Sequence, residues 1–165
     1  MRVYVIGMAA VLTAALTMGQ QQGKGGTPAM KLFASSADVQ ALIAKAKAER
    51  KENQPTVSLP ILQLAPYNAN LEYRASVGPA AVHEKEAEMF YVIDGSATLT
   101  TGGKLTSETR NGDNLTGTGI EGGQSRTVSK GDFVIVPENT PHWFGKIDNV
   151  IVLMSIHVPR TSAGH

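Results

Sequence analysis

Residues 78–95 read GPAAVHEKEAEMFYVIDG, and residues 131–144 read GDFVIVPENTPHWF. In each stretch, a short apolar run stands beside a turn rich in Gly or Pro, with His or Glu next to the turn. Because side chains of a strand alternate between two faces, Glu88 is expected on the same face as Phe90. A carboxylate among apolar side chains is costly unless it meets a cation. The first stretch therefore predicts a cation at Glu88, shared with His83 across the turn.

The second stretch presents His142 from a turn that is bracketed by Pro137 and Pro141. Proline fixes its own backbone dihedral angle φ, so this turn is stiff, as a preset ligand position requires. Phe144 has the same strand parity as His142. We therefore expect Phe144 and Phe90 to be pocket residues, with Trp143 on the opposite face from Phe144.

From residue 55 onward, short apolar runs alternate with turns of Gly, Asn, Pro and Ser. Many short strands with frequent turn signals predict an all-β sandwich or barrel. The polar, Gly-rich stretch 102–124 is expected to form a long and partly ordered loop between two strands. The predicted strands are 57–64, 71–77, 87–93, 96–101, 126–129, 133–136, 143–147 and 150–158.

One amphipathic helix is predicted before the strands, over residues 36–52 of a helical segment 35–54. It opens with a Ser N-cap and has Asp38 in its first turn. Its apolar residues recur at helical spacing, with charged residues on the other face; they are Val39, Leu42, Ile43 and Ala46. This narrow apolar stripe is expected to pack either on the barrel or on a second subunit.

The N-terminal residues 1–19 have the pattern of a signal peptide. Arg2 precedes an apolar run, which a Gly- and Gln-rich stretch follows. The run is shorter than the about 20 residues that a membrane span needs. We expect cleavage and a secreted or periplasmic location, with a flexible linker over 20–34 and no membrane contact after cleavage. A buried helix or an uncleaved anchor is the alternative interpretation.

Composition narrows the classes of partner and of metal site. Hydrophobic residues make up 42% of the chain, charged residues make up 18%, and the formal net charge is +1. This is an ordinary globular balance, and no basic run predicts a nucleic-acid partner. Because the chain has no cysteine, any metal must be held by His, Asp, Glu or backbone oxygen.

The two stretches resemble the two signature motifs of the cupin superfamily. The spacings from His83 to Glu88 and from Glu88 to Gly95 fit the first motif, and Gly131 and His142 fit the second together with Pro137. The resemblance spans roughly residues 56–158. It implies an all-β, double-stranded β-barrel (jelly roll) over residues 55–159, with the N-terminal helix outside it. Because cupins commonly pair, it also implies a homodimer.

Two departures from the family pattern change the expected site. Ala81 stands where the first motif usually has a metal-binding histidine, and Asn139 and Lys146 replace a usual Gly and Asn in the second. The remaining ligands are His83, Glu88 and His142, a set with open positions that suits Fe, Mn or Zn. Glu84 or Glu86 would supply a further ligand, and strand parity favours Glu86.

Other polar residues are expected outside the site. His157 is interpreted as an exterior or capping residue of the last strand, and His165 as a mobile terminal residue. Arg74 could clamp a substrate carboxylate, but the parity of Glu72 and Ser76 favours a solvent face for it. Tyr91 is expected to pack on the face opposite Glu88.

Three functions remain open at this point. The first is a metal-dependent enzyme, of oxygenase or isomerase type, that acts on a small molecule. The second is a protein that binds or senses a small ligand through the metal without turnover. The third is a metal-free barrel, because Ala81 is also what the loss of a site would leave.

Overall fold

The computed structural model describes residues 30–160. The predicted signal peptide over residues 1–19, most of the predicted linker 20–34 and His165 lie outside the described residues. Within residues 30–160, no helix is long and apolar enough to cross a membrane. The described segment is mostly β-strand with one N-terminal helix, which confirms the predicted all-β class.

The described segment contains one helix and eleven strands. The helix α1 spans Ser36–Glu49. The strands are β1 (Thr56–Leu64), β2 (Tyr67–Arg74), β3 (Ala80–His83), β4 (Glu86–Thr101), β5 (Lys104–Thr106), β6 (Thr109–Asn111), β7 (Asn114–Gly117), β8 (Gly119–Glu121), β9 (Gln124–Ser129), β10 (Phe133–Val136) and β11 (His142–Pro159).

Helix α1 begins at the predicted cap. The Ser35 side chain accepts a hydrogen bond from the Asp38 backbone N–H, and the Asp38 side chain accepts one from the Ser35 backbone N–H. The helix ends at Glu49 and not at residue 52, because the backbone of Arg50 is already extended. Its apolar stripe packs on β1 and β2 of the same chain, which decides between the two packing partners that the sequence left open.

Strand β11 holds the sheet together. It pairs antiparallel with β2 on one side and with β4 on the other, while His142 at its start pairs with Ala81 of β3. In the described segment, nine strands form one sheet and β5 and β8 form a second, small one. The pairing path from β1 to β6 does not close on itself, so the fold is an open jelly roll.

Two predicted pairs of strands are single long strands in the structure. Strand β4 runs through the predicted turn at Gly95, and β11 runs through the predicted break at residues 148–149. The two irregularities face each other, because the register of β11 against β4 shifts between Ile147 and Ile151, and Ile151 pairs with Gly95. Gly95 has φ 82°, so the strand bends there where only glycine is unstrained.

The prediction of one long loop over residues 102–124 is wrong in detail, because this stretch contains short strands. It contains β5, β6, β7 and β8, and β7 pairs with β3 so that Asn114 lies opposite His83. These strands are only three or four residues long and largely polar. Pairing with neighbours, and not an apolar pattern of their own, makes them strands.

The buried side chains follow the predicted strand parity. Glu88, Phe90 and Val92 of β4 are all buried. The main core is formed largely by side chains of the paired strands β4 and β11, and it includes Phe90, Leu99, Phe144, Ile151 and Leu153. A second core lies under the helix and includes Ala46, Val57, Leu71, Tyr73 and Val152. Strand β2 thus turns its odd-numbered residues to the helix and its even-numbered residues to the inside of the sheet.

Candidate metal centre

The carboxylate of Glu88 is the centre of a cluster of three histidines. Glu88 is only 3% exposed. Its Oε2 atom lies 3.3 Å from His83 Nε2 and 3.0 Å from His142 Nε2. Its Oε1 atom lies 3.4 Å from His157 Nε2 and accepts a hydrogen bond of 2.5 Å from the Ser155 hydroxyl.

Three strands bring these residues together. His83 ends β3, Glu88 lies near the start of β4, and both His142 and His157 belong to β11. In the register of β11 against β4, His157 lies directly opposite Glu88. Directly opposed residues of an antiparallel pair point to the same side of the sheet, so the imidazole of His157 faces the carboxylate.

Each histidine also has an oxygen atom beside its second ring nitrogen. The Nδ1 atom of His83 lies 2.6 Å from Asn114 Oδ1, and that of His142 lies 3.2 Å from the backbone oxygen of Thr140. The Nδ1 atom of His157 lies 2.8 Å from Glu86 Oε2. A carbonyl or carboxylate oxygen can only accept, so these Nδ1 atoms donate and the Nε2 atoms face Glu88.

The carboxylate and its histidines perturb one another electrostatically. Burial alone would raise the pKa of Glu88, but hydrogen bonding with His142 and His83, the charge of His142 and the Ser155 hydroxyl outweigh burial and hold it well below its usual range. The Glu88 carboxylate raises the pKa of His83, although burial opposes this. The cluster therefore favours an ionised Glu88 and a positive charge around it.

The donor set fits a divalent metal. One potential ligand atom from each of His83, Glu88 and His157 lies within 4.8 Å of the others, and His142 contacts the same carboxylate. Imidazole nitrogen and carboxylate oxygen are ligands that suit Zn, Fe and Mn. The Nδ1 atoms of the three histidines each contact an oxygen atom. Hydrogen bonds of this kind orient the histidine ligands of metal sites.

A cavity of about 290 Å³ opens onto one side of the cluster. The side chains of His83, Glu88, His142 and His157 line it. The rest of the cavity is lined by residues of β1 and β2, the segment just before β3, β3 itself and the start of β11. These residues are Thr56, Glu72, Arg74, Gly78, Pro79, Ala81, Trp143 and Phe144. Because Ala81 carries only a methyl group, no donor side chain projects from that position.

The structure brings together the three ligands that the sequence predicts, and their metal binding stays a prediction. His83, Glu88 and His142 converge as expected. Glu86 does not join them, because its carboxylate contacts the outer nitrogen of His157. Phe90 lies in the core behind the cavity, with its ring edge-to-face to Phe144 at 5.3 Å between centroids.

Three interpretations from the sequence are corrected. His157 is not an exterior residue, because it faces Glu88. Arg74 does not point to bulk solvent: its side chain is 17% exposed and lines the cavity. Trp143 lines the cavity together with Phe144, because its indole N–H reaches across to the Gly78 carbonyl at 2.9 Å.

Two signals in the sequence could have indicated these positions. In the last strand, His157 shares parity with Ser155 and Leu153, and a face that mixes Leu with Ser and His is compatible with a polar interior. In β2, the polar residues Asn68, Asn70 and Glu72 share parity with Arg74, and all face the inside of the sheet next to β11. Asn114 had no comparable signal.

Comparisons with known proteins agree with this fold. A family model described as Cupin matches residues 47–161. The protein TT1209 from Thermus thermophilus has a similar structure, with a TM-score of 0.50, 14% identity and coverage of 72% of this chain and 95% of that chain. KdgF from Halomonas sp. also has a similar structure, with a TM-score of 0.50, 16% identity and coverage of 68% of this chain and 86% of that chain.

The structure of FeII HppE is also similar, with a TM-score of 0.50 and 14% identity, over 66% of this chain and 54% of that chain. At these identities, the likeness to solved structures concerns the fold alone. No curated protein sequence matches the chain.

Proposed function

The chain belongs to the cupin family, and we propose that its Glu88 cluster holds one divalent metal ion and uses it to bind a small molecule. His83, Glu88 and His142 are the proposed ligands from the two sequence motifs. His157 is the proposed additional ligand, at the position that strand pairing places opposite Glu88.

One observation carries the proposal: the outer nitrogens of the histidines face acceptor oxygens. When Nδ1 of a neutral imidazole carries the proton, Nε2 carries a lone pair. For His142 and His157, that lone pair would face a carboxylate oxygen at 3.0–3.4 Å. Two acceptors repel each other unless a cation lies between them, and a divalent metal ion bound by these imidazoles and Glu88 would be such a cation.

Protons are the competing cation. Satisfying each Nε2 with a proton would require three imidazolium ions next to a single buried carboxylate. His142 and Glu88 have only 6% and 4% of their side chains exposed, so this excess of positive charge would be poorly hydrated. Neutral histidines with one metal ion need less buried charge, which favours the metal.

The protein residues prepare the site in complementary ways. Glu86, Thr140 and Asn114 fix the ring orientation of the three histidines, and Ser155 fixes Glu88. A bound divalent metal would supply Lewis acidity and open coordination positions to a small molecule. The small side chain of Ala81 leaves the cavity side of the cluster accessible to that molecule.

We propose a metal-dependent enzyme of oxygenase or isomerase type as the first candidate. A second candidate, a protein that binds or senses a small ligand without turnover, is favoured by the lining of the cavity. Within residues 30–160, the only carboxylate that lines this cavity besides Glu88 is that of Glu72. It forms an ion pair with Arg74, with 2.6 Å between Oε2 and Nη2. The described cavity thus offers no unoccupied carboxylate as general base.

The test is metal content of the protein purified without chelator or histidine tag. We expect about one Fe, Mn or Zn per chain and a large loss of affinity in H83A, H142A, H157A and E88Q. The control E121Q makes the same chemical change as E88Q at an exposed position. No metal uptake by the wild-type protein would instead support the metal-free barrel.

Turnover separates the two remaining candidates. If the bound metal is iron, we expect oxygen consumption in the presence of a substrate from a panel of small oxygen-rich molecules. Isomerase activity would be followed by NMR of the same panel under nitrogen. Ligand binding with neither activity would support the binding protein.

Export and dimerisation extend the proposal. Arg2 and the apolar run after it support cleavage near residue 19, which intact-mass analysis of the exported protein would test.

A homodimer is supported by Phe133 and Ile135, whose exposed fractions are 59% and 62% on the outer face of β10. Light scattering of the purified protein and of F133S would test it, and a monomeric wild type would contradict it.

A further inference from the structure

Arg74 is held in a fixed position inside the cavity. Its Nε donates to Glu72 Oε2 at 2.8 Å, and its Nη2 lies 2.6 Å from the same oxygen. The guanidinium carbon lies 4.8 Å from the centroid of the Phe144 ring, in the range of a cation–π contact. An arginine held from two sides loses little conformational entropy when it binds a ligand.

The second terminal nitrogen of Arg74 remains available. Its Nη1 makes no hydrogen bond to any residue of the 30–160 segment. It is not fully buried either, because this segment contains no completely buried side-chain nitrogen without a partner. Nη1 therefore keeps some solvent exposure, and the side chain that carries it lines the same cavity as the Glu88 cluster.

The charges around the cavity indicate which ligand fits. Glu72 balances Arg74, and Glu88 balances one of the two charges of a divalent metal. With neutral histidines, one positive charge is left for the ligand. Electrostatic complementarity then favours a monoanion over a neutral molecule or a dianion. A cavity of about 290 Å³ is at the small end of ligand sites.

We infer that Arg74 is a specificity-determining residue which selects a small monoanionic carboxylate, such as a short hydroxy acid, as the ligand of this site. This inference rests on the proposed metal site. A metal held by the Glu88 cluster would offer coordination positions to the oxygen atoms of such a molecule, and Arg74 Nη1 would donate to its carboxylate. Glu72 and Phe144 act as positioning residues for the guanidinium.

The test compares two probes of nearly equal size, glycolate and ethylene glycol. Calorimetric titration of the zinc-loaded protein is expected to show that glycolate binds more tightly. R74Q should weaken glycolate binding by about tenfold or more, as loss of a charge-assisted hydrogen bond does, and leave ethylene glycol unchanged. R126Q removes the same charge from an exposed site on β9 and should change neither.

Two further measurements keep the outcomes distinct. Zinc content is measured for every variant: wild-type protein without zinc refutes the proposed metal site, whereas full zinc content with equal glycolate affinity in R74Q refutes only the role of Arg74. If R74Q does not fold, E72Q decides. Gln at position 72 keeps an acceptor oxygen that can position the guanidinium, so removing the negative charge of Glu72 should strengthen glycolate binding relative to ethylene glycol. An unchanged or lower preference for glycolate would overturn the inference.

Discussion

The Nδ1 atom of His157 donates a hydrogen bond of 2.8 Å to Glu86 Oε2, and Nε2 of the same ring faces Glu88 at 3.4 Å. Glu86 thus sets the tautomer and the direction of a histidine that no local sequence pattern assigned to the site. This gives Glu86 a role that differs from the ligand role predicted for it: it is a positioning residue.

Replacing Glu86 by alanine should weaken metal binding by about 10–100-fold, the usual cost of losing an outer partner of a histidine ligand. E86Q keeps an acceptor oxygen and should restore most of the affinity. The measurement is competition with a chelator of known affinity. E84A is the control, because the Glu84 carboxylate pairs with Arg110 and makes no hydrogen bond or ion pair with a histidine of residues 30–160. Equal affinities of E84A and E86A would contradict the role of Glu86.

Ser155→Ala should destabilise the metal-free protein. Ser155 is fully buried, and its hydroxyl donates to the buried Glu88 carboxylate. Leaving this carboxylate oxygen without its donor is expected to cost about 1–3 kcal/mol in the free energy of unfolding. Urea denaturation with chelator present measures it. The control S125A removes a serine hydroxyl from an exposed contact with the Thr100 hydroxyl and should have about 0.5 kcal/mol of effect or less. Equal losses in both variants would refute the prediction.

Gly95→Ala should destabilise the fold more than Gly112→Ala. Both glycines have positive φ, 82° and 62°. A Cβ atom at Gly95 would collide with the backbone oxygen of Val150 in β11, whereas one at Gly112 would meet no atom within 4 Å. We expect a loss of about 1–3 kcal/mol for G112A from backbone strain, and about 2–6 kcal/mol for G95A from strain plus overpacking. Thermal and urea unfolding would test this order, which a larger loss in G112A would contradict.

The sequence predicts those features that depend on local spacing. The period of two along a strand placed Glu88 with Phe90, and the two motifs brought His83 and His142 to the same place. Even a departure from the motif is explained locally: Asn139, at the usual glycine position, has φ 57°, a conformation that asparagine tolerates.

Features that depend on register between distant strands could not be predicted in this way. His157 meets Glu88 only because β11 pairs with β4 in one particular register, which no local pattern encodes. Arg74 was assigned to solvent because a polar strand face looks alike whether it borders water or a polar cavity. The short strands of residues 102–124 depend on their partners in the same manner, and with them the position of Asn114.

Ala81→His should strengthen metal binding and weaken ligand binding. Ala81 is the register partner of His142, and directly opposed side chains point to the same side, so a histidine at 81 would lie beside His142 and line the cavity. It would add a fourth imidazole and occupy the side that the proposed ligand uses. Chelator competition and glycolate titration of zinc-loaded protein measure the two effects.

Ala81→Leu is the matched control for this variant, because it narrows the cavity without adding a donor atom. We expect A81L to weaken glycolate binding, as is expected for A81H, and to keep the zinc affinity of the wild type. Tighter zinc binding in A81H alone would show that position 81 lies within reach of the metal. Equal zinc affinities of A81H and A81L would instead mean that the metal lies on the His157 side of Glu88, away from Ala81. In that case the open positions would have to be sought elsewhere around the cluster.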